Sequence, residues 1–206
     1  MCIRDRATIS IDDKNLEFEE PLTILEAAKK LQIKIPTLCY NEHLAPYGGC
    51  RICLVEAATR ATPERSRLVP ACTSPAEDGM VVSTDSQRVL DSRRFIIELL
   101  LSRCPESEVI REMAAEMGVD PEGQNLDVVG QYLLQRAPRR ETTNCILCGL
   151  CVRVCQQIPE RYALSLKERG IHRKVTPPFE KVAESCIGCG SCAYVCPTKT
   201  ITIKEA

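Results

Sequence analysis

The sequence predicts an α+β protein in three parts: a small sheet-and-helix domain, a helical connector, and a C-terminal domain organised by cysteines. Three observations predict it. Residues 8–18 alternate apolar and polar side chains and run into a helix-start signal. Residues 86–135 carry apolar positions at helical spacing. Residues 145–197 hold one four-cysteine phrase twice, as Cys145-Ile-Leu-Cys148-Gly-Leu-Cys151-Val-Arg-Val-Cys155 and as Cys186-Ile-Gly-Cys189-Gly-Ser-Cys192-Ala-Tyr-Val-Cys196-Pro197. Each copy is C-x2-C-x2-C-x3-C.

The elements follow in chain order. Met1 to Arg6 does not continue the alternation that begins at Ala7 and reads as an extension foreign to the domain, so nothing is built on Cys2. Ile9 and Ile11 face one way, and after a polar Asp12–Asn15 turn so do Leu16 and Phe18, which predicts a β-hairpin with one buried face. Thr23-Ile-Leu-Glu26 is a capping box with Pro21 just ahead, and Ile24, Ala28 and Leu31 share a helical face. A hairpin followed by a packed helix opens a β-grasp domain. A strand from Cys53 to Ala57, a turn at Asp78-Gly79 and a closing strand from Met80 to Thr84 complete it.

A helix over 86–103 comes next, apolar at Val89, Leu90, Ile96, Ile97, Leu100 and Leu101. Two amphipathic helices follow, over 108–118 (Val109, Met113, Met117) and 126–135 (Val129, Tyr132, Leu133), separated by Asp120-Pro-Glu-Gly123. The methionine stripe reads as core packing. Ala137-Pro-Arg-Arg140 links into the last domain. There Ala163-Leu-Ser-Leu, Arg169-Gly170 and Val175-Thr-Pro-Pro-Phe179 outline a hairpin. Thr200 to Ile203 reads as a closing strand before a charged tail, which favours a natural end.

Composition sets limits. Within 206 residues there is room for one large or two small cores. The first twenty residues hold Arg4, Asp5, Arg6, Asp12 and Asp13 and no continuous apolar stretch, so they are no signal peptide. The longest apolar run, Phe95 to Leu101, is interrupted by Glu98 and is too short to span a bilayer. A reducing, cytoplasmic setting follows, and there the fourteen cysteines read as metal ligands rather than disulfides. A net charge of −1 gives no hint of nucleic-acid binding.

The repeated phrase has a physical reading. Three thiolates two residues apart wrap three corners of an iron–sulfur cube, while the fourth is carried to the cube held by the other copy. Crossed ligation therefore assigns Cys145, Cys148, Cys151 and Cys196 to one 4Fe–4S cluster, and Cys186, Cys189, Cys192 and Cys155 to the other. Zinc knuckles would need separated C-x2-C pairs. Gly149, Gly188 and Gly190 let main-chain N–H groups approach the sulfurs. Gly188 to Ala193 also mimics a G-x-G-x-x-A dinucleotide fingerprint, but its x positions include cluster ligands and no β-α-β unit surrounds it.

Four further cysteines, Cys39, Cys50, Cys53 and Cys72, are spaced C-x10-C-x2-C-x18-C around Gly48-Gly49. These are the elements of a 2Fe–2S site, with zinc as the alternative because four thiolates also close a tetrahedral site. With all three clusters in place, each oxidised cluster adding roughly −2, the charge would approach roughly −7, and a docking partner would present Lys and Arg. His43 and His172 are isolated and receive no role.

Ile35-Pro-Thr-Leu-Cys-Tyr40, Gly49-Cys-Arg-Ile-Cys-Leu-Val-Glu56 and Pro70-Ala-Cys72 resemble the N-terminal 2Fe–2S domain shared by three protein groups. These are the large iron–sulfur subunit of NADH:quinone oxidoreductase, the small diaphorase subunit of NAD-linked hydrogenases, and the N-terminal region of iron-only hydrogenases. Asn144 to Cys155 and the hairpin after Ala163 are similar to the two-cube domain of the same group. The resemblance covers residues 7–86 and 141–204. It implies a plant-type 2Fe–2S ferredoxin-like β-grasp domain at 7–86, a helical connector at 87–140 and a dicluster 4Fe–4S ferredoxin-like domain at 141–206. Those relatives carry a His-x3-Cys-x2-Cys-x5-Cys set after the first domain. Here Cys104-Pro-Glu-Ser stands without a nearby histidine, so that fourth cluster is expected to be absent and Cys104 to be a buried thiol.

The function implied is an electron-transfer subunit of an oxidoreductase complex, with no catalytic residues of its own. Its partners would be flavoprotein and catalytic subunits of an NAD(P)H dehydrogenase, hydrogenase, formate dehydrogenase or heterodisulfide-reductase-like complex, or a soluble ferredoxin, with no nucleic acid and no direct membrane insertion. Two alternatives stand beside it. One is a fragment of a longer iron-only-hydrogenase-like or dehydrogenase catalytic chain. The other is a redox-sensing or structural iron–sulfur protein.

Overall fold

The computed structural model describes residues 6–123, 126, 129–132 and 143–203. Cys2, Leu133, the Ala137–Arg140 link and the start of the last domain at 141–142 lie outside the described residues. The chain divides into two compact units, one of Met1–Thr37 with Arg51–Ile96 and one of Leu38–Cys50 with Ile97–Ala206.

The first unit is a five-stranded mixed sheet in the order β2-β1-β5-β3-β4, with one helix of its own after the hairpin. Strands β1 (Ala7–Ile11) and β2 (Lys14–Phe18) pair antiparallel, Ile9 opposite Leu16 and Ile11 opposite Lys14. The turn is tighter than the sequence suggests. Asp12 and Asp13 alone make it, with φ of 45° and 64°, the left-handed pair that matches hairpin twist. Asp12 then accepts hydrogen bonds from the backbone N–H and hydroxyl of Thr84, which ties the hairpin to the end of β5 (Met80–Ser83). β1 runs parallel to β5.

Helix α1 (Ile24–Lys30) begins with the expected capping box. The Thr23 N–H donates to Glu26 Oε2 at 2.8 Å, and the Glu26 N–H donates to Thr23 Oγ1 at 3.2 Å. The Thr23 N–H first, and then the Thr23 hydroxyl, which donates to Glu26 Oε2 at 2.8 Å, hold the Glu26 carboxyl below its ordinary pKa. Ile9, Ile11, Ile24, Leu25, Val55 and Val82 form the core of this unit, each at most 2% exposed. Burial of each such side chain stabilises by about 1.5–3 kcal/mol.

β3 (Leu54–Thr59) pairs with β5 and with β4 (Thr62–Pro70). The sequence does not announce β4, the longest strand. Glu64, Arg65 and Arg67 interrupt its apolar pattern, and as an edge strand it needs only one neighbour to form.

Helix α2 (Gln87–Arg103) buries Val89, Arg93, Ile97 and Leu101, a strict i, i+4 stripe, while Leu90 is exposed. In α3 (Glu108–Glu116) the buried residues are Ile110 and Ala114, and the Met113 and Met117 stripe is half-buried. The inward face is thus turned by one residue from the expected one. Of the third predicted helix, residues 129–132 are helical. Val129 and Tyr132, expected on its apolar stripe, are exposed, while Leu126 is buried.

The second unit also holds α4 (Leu150–Gln157), a hairpin of β6 (Ser165–Lys167) and β7 (Lys174–Thr176), and α5 (Ser191–Tyr194). α4 and α5 pack on each other. Thr200 to Ile203, expected as a closing strand, forms none. The Thr200 N–H donates to Cys196 Sγ at 3.3 Å, so this backbone donor serves a sulfur rather than a ladder.

Candidate functional site

Both four-cysteine phrases fold the same way at their centres. Gly149 and Gly190 sit at the N-caps of α4 and α5 with φ of 73° and 74°, a left-handed conformation that glycine adopts without a Cβ penalty. The turn aims equivalent N–H groups at equivalent sulfurs: Leu150 at Cys148 and Ser191 at Cys189. The fourth cysteine of each phrase also receives a main-chain donor. Ala163 N–H donates to Cys155 Sγ at 3.3 Å, as Thr200 does to Cys196. The Thr198 hydroxyl lies 3.8 Å from Cys196 Sγ.

The eight cysteines gather around two cavities of this unit. Cys145, Cys148, Cys151 and Cys196 line one of about 780 Å³. Cys155, Cys186, Cys189 and Cys192 line another of about 280 Å³. Cys192 borders both, and His172 borders the first. Arg103, from the last turn of α2, fastens the first phrase by donating from Nε to the Cys145 carbonyl at 2.9 Å. Among the described residues no three Cys, His, Asp or Glu side chains converge as a single metal ion would need. The cysteines surround volumes instead, which suits a cluster of several atoms.

Burial raises three of these thiols, Cys148, Cys151 and Cys192. It pushes Cys148 up to about 11 and Cys151 up to about 12, with neighbouring cysteines adding to the effect. At Cys196 burial also opposes ionisation but is outweighed by the N–H groups of Thr200 and Ile201 and the Thr198 hydroxyl, and the thiol falls below its ordinary value. Thiolates in such surroundings need cations beside them, and a bound metal supplies that charge.

The other four candidate cysteines form two pairs. In the first unit Cys53 and Cys72 are each 1% exposed, with sulfurs 3.5 Å apart. That is close to the roughly 3.8 Å between two thiolates sharing one tetrahedral metal at ~2.3 Å bond lengths. Cys72 is set by α1, whose Leu25 N–H donates to Ala71 O at 3.0 Å, and Cys53 by Ala71 N–H to its own carbonyl at 3.1 Å. Arg93, 7% exposed, donates from Nε and Nη2 to Leu54 O, at 3.1 and 2.7 Å. In the second unit the Cys50 N–H donates to Cys39 Sγ at 3.4 Å. The Cys39 thiol is drawn down to about 6, chiefly by hydrogen bonding to the Cys50 side chain; burial resists, while the Cys50 and Gly49 N–H groups and Arg153 assist.

Cys104 is 0% exposed, and burial pushes it up to about 12. His43 is exposed, 3.8 Å from Glu42. Sequence reasoning missed Arg93, Arg103 and Arg153, whose guanidinium groups reach carbonyls at or beside the cysteines. Only Arg153 carried a signal, by its place inside a ligand phrase.

The donor set is all thiolate, met by N–H groups, and fits iron–sulfur clusters. Residues 4–87 match the family described as 2Fe-2S iron-sulfur cluster binding domain, and residues 144–205 match the 4Fe-4S dicluster domain. Over 96% of its length the chain is 35% identical to the NADP-reducing hydrogenase subunit HndD of Solidesulfovibrio fructosivorans. Over 92% it is 34% identical to the G 2 subunit of the NADH-quinone oxidoreductase of Rhizobium meliloti, and over 96% it is 31% identical to the NADPH-Fe(3+) oxidoreductase subunit alpha of Geobacter sulfurreducens. It spans 36%, 23% and 24% of those proteins. The fold matches a chain of an NAD+-reducing NiFe-hydrogenase in the H2-reduced state, with TM-score 0.73 and 24% identity, covering 94% of this chain and 86% of that one. The chain is therefore an iron–sulfur protein with one 2Fe–2S domain and one 4Fe–4S dicluster domain, homologous to the G subunits of NADH-quinone oxidoreductases and to NAD(P)-reducing hydrogenase subunits.

Proposed function

We propose that the chain relays electrons through one 2Fe–2S and two 4Fe–4S clusters between partner subunits of an oxidoreductase complex. Cys39, Cys50, Cys53 and Cys72 would hold the two-iron cluster. Cys145, Cys148, Cys151 and Cys196 would hold one cube, and Cys186, Cys189, Cys192 and Cys155 the other. The observation that carries the reading is the sorting of the eight C-terminal cysteines around two cavities, with Cys155 and Cys196 each beside the other copy's three. Each cluster would supply one-electron redox chemistry. The protein's own residues set ligand positions, N–H bonds to sulfur, and solvent access.

The domain limits that go with this reading are 7–86, 87–140 and 141–206. The partners are a flavoprotein and a catalytic subunit, or a soluble ferredoxin, presenting Lys and Arg to the negatively charged clusters, in the cytoplasm. No helix among the described residues is long and apolar enough to cross a membrane. A second reading places the same relay within a longer catalytic polypeptide; the small share of the relatives that this chain spans favours it.

Stepwise reductive titration of anaerobically purified protein, followed by low-temperature EPR, tests the relay. The expected result is one two-iron signal that persists on warming and two coupled four-iron signals seen only when cold. Zinc in place of iron and a silent spectrum would replace the relay with a structural scaffold.

A further inference from the structure

The loop from Leu38 to Cys50 has no helix or strand, yet it buries Cys39 to 1% exposure. Helix α4 holds it. Arg153 donates from Nη1 to Ala45 O at 2.5 Å and from Nη2 to Cys39 O at 2.8 Å. One turn on, Gln157 Oε1 accepts the Ala45 N–H at 3.0 Å. The guanidinium also lies over the Tyr47 ring, 5.3 Å from its centroid. Tyr47 packs so closely on Gly49 that a Cβ there would come within 2.4 Å of the ring.

Arg153 and Gln157 are four residues apart and share one stripe of α4; Cys151 and Cys155, also four apart, occupy another. One eight-residue helix thus carries a ligand for each cube on one stripe and grips the Cys39 loop with the next. The Arg153 Nε is buried without a hydrogen-bond partner, so part of this cation is taken out of water beside Cys39.

We propose that Arg153 is the positioning residue of the two-iron centre: its fork fixes Cys39 and the Ala45 turn to α4, and its charge raises the midpoint potential of the cluster Cys39 ligates. A fixed cation favours the more negative, reduced state. A fork bonding two carbonyls is a geometry that lysine cannot reproduce. The inference rests on the ligand assignment proposed above.

Arg153→Gln, Arg153→Lys and Gln157→Leu, compared with the parent protein, test it in two measurements. One is the EPR midpoint of the two-iron signal; the other is the rate at which that cluster is lost to an iron chelator. The cubes in the same sample serve as reference. Arg153→Gln is expected to shift the two-iron midpoint downward and to speed loss of that cluster by roughly ten- to a hundredfold, the range typical of residues supporting a metal ligand. Arg153→Lys should keep most of the midpoint and still lose the cluster faster. A two-iron midpoint and loss rate like the parent's, or cubes that move as far as the two-iron centre, would overturn the proposal. Should both Arg153 variants fail to hold clusters at all, Gln157→Leu decides: faster two-iron loss at an unchanged midpoint supports the clamp, and no change refutes it. A parent protein without any two-iron signal would instead sink the functional reading itself.

Discussion

The two four-cysteine phrases share every spacing and differ in what surrounds them. In the first, Cys148, Cys151, Leu150 and Val154 are buried and α4 runs for eight residues. In the second, Cys186 and Cys189 are exposed, α5 is four residues long with none buried, and Ile187 and Tyr194 are 56% and 89% exposed. The shared features, a left-handed glycine and an N–H aimed at the second sulfur, follow from local spacing. Burial depends on which distant segments lie against each copy, and the repeat does not encode that. Ligand spacing thus sets where a cluster can bind, while its neighbours set how far water reaches it and hence its lability.

The largest expected effect breaks the pairing itself. Cys155→Ser alters the first phrase but should remove the cube of the second cavity, and Cys196→Ser should do the reverse; both are expected to unsettle the C-terminal unit. Iron content and EPR after purification would show which cube is lost. Loss of only the Cys145 cube from Cys155→Ser would mean that each phrase ligates its own cluster.

Next comes lability in the intact protein. With Cys186 and Cys189 exposed, a second cube held by them would lie open to solvent, so a chelator or air should remove it several-fold faster than the first. Equal rates would show that the buried cysteines of the first phrase give no protection.

Substitution at the two caps tests the shared part. Gly149→Ala and Gly190→Ala each force an L-residue into the left-handed region, at a cost of about 1–2 kcal/mol. At Gly190 the new Cβ would also meet Ile203 Cδ1 at 2.9 Å, whereas at Gly149 it would meet Tyr47 Cε1 at 3.9 Å, an ordinary contact. Ile203 is 66% exposed and can swing aside, so the backbone term should dominate and the two variants should lose similar stability in denaturant titrations. A much larger loss at Gly190 would show that Ile203 is fixed in place.

The same division explains what could be read from sequence. The capping box at Thr23 and Glu26 and the alternation of Ile9 and Ile11 are local signals, and the helix and hairpin they mark are present; the equal cysteine spacings are local too, and both phrases turn at a left-handed glycine. β4 was illegible because an edge strand needs a partner more than a pattern. Thr200 to Ile203 had a strand's pattern, but a sulfur took the Thr200 donor. What Arg153 binds was illegible for a related reason, although its place inside a ligand phrase marked the residue. Its carbonyl partners, Cys39 and Ala45, lie more than a hundred residues earlier in the chain.

The smallest expected effect lies on the β6–β7 hairpin, which shares the unit with the second cube. Glu180 accepts from Lys167 Nζ at 2.9 Å and pairs with Lys174 Nζ at 2.9 Å, and these two lysines hold its carboxyl down to about 2. A carboxyl with a depressed folded pKa contributes fully above its ordinary value of about 4.3, and the contribution fades only as pH falls toward 2. Between pH 8 and 5 the pairing should therefore stay constant. The group is exposed, so salt should screen it. Glu180→Gln is expected to speed loss of the second cube slightly at low ionic strength, equally at pH 8 and pH 5, with the difference vanishing at high salt. A pH-dependent difference within that window would mean that Glu180 titrates there and that the two lysines do not hold it ionised.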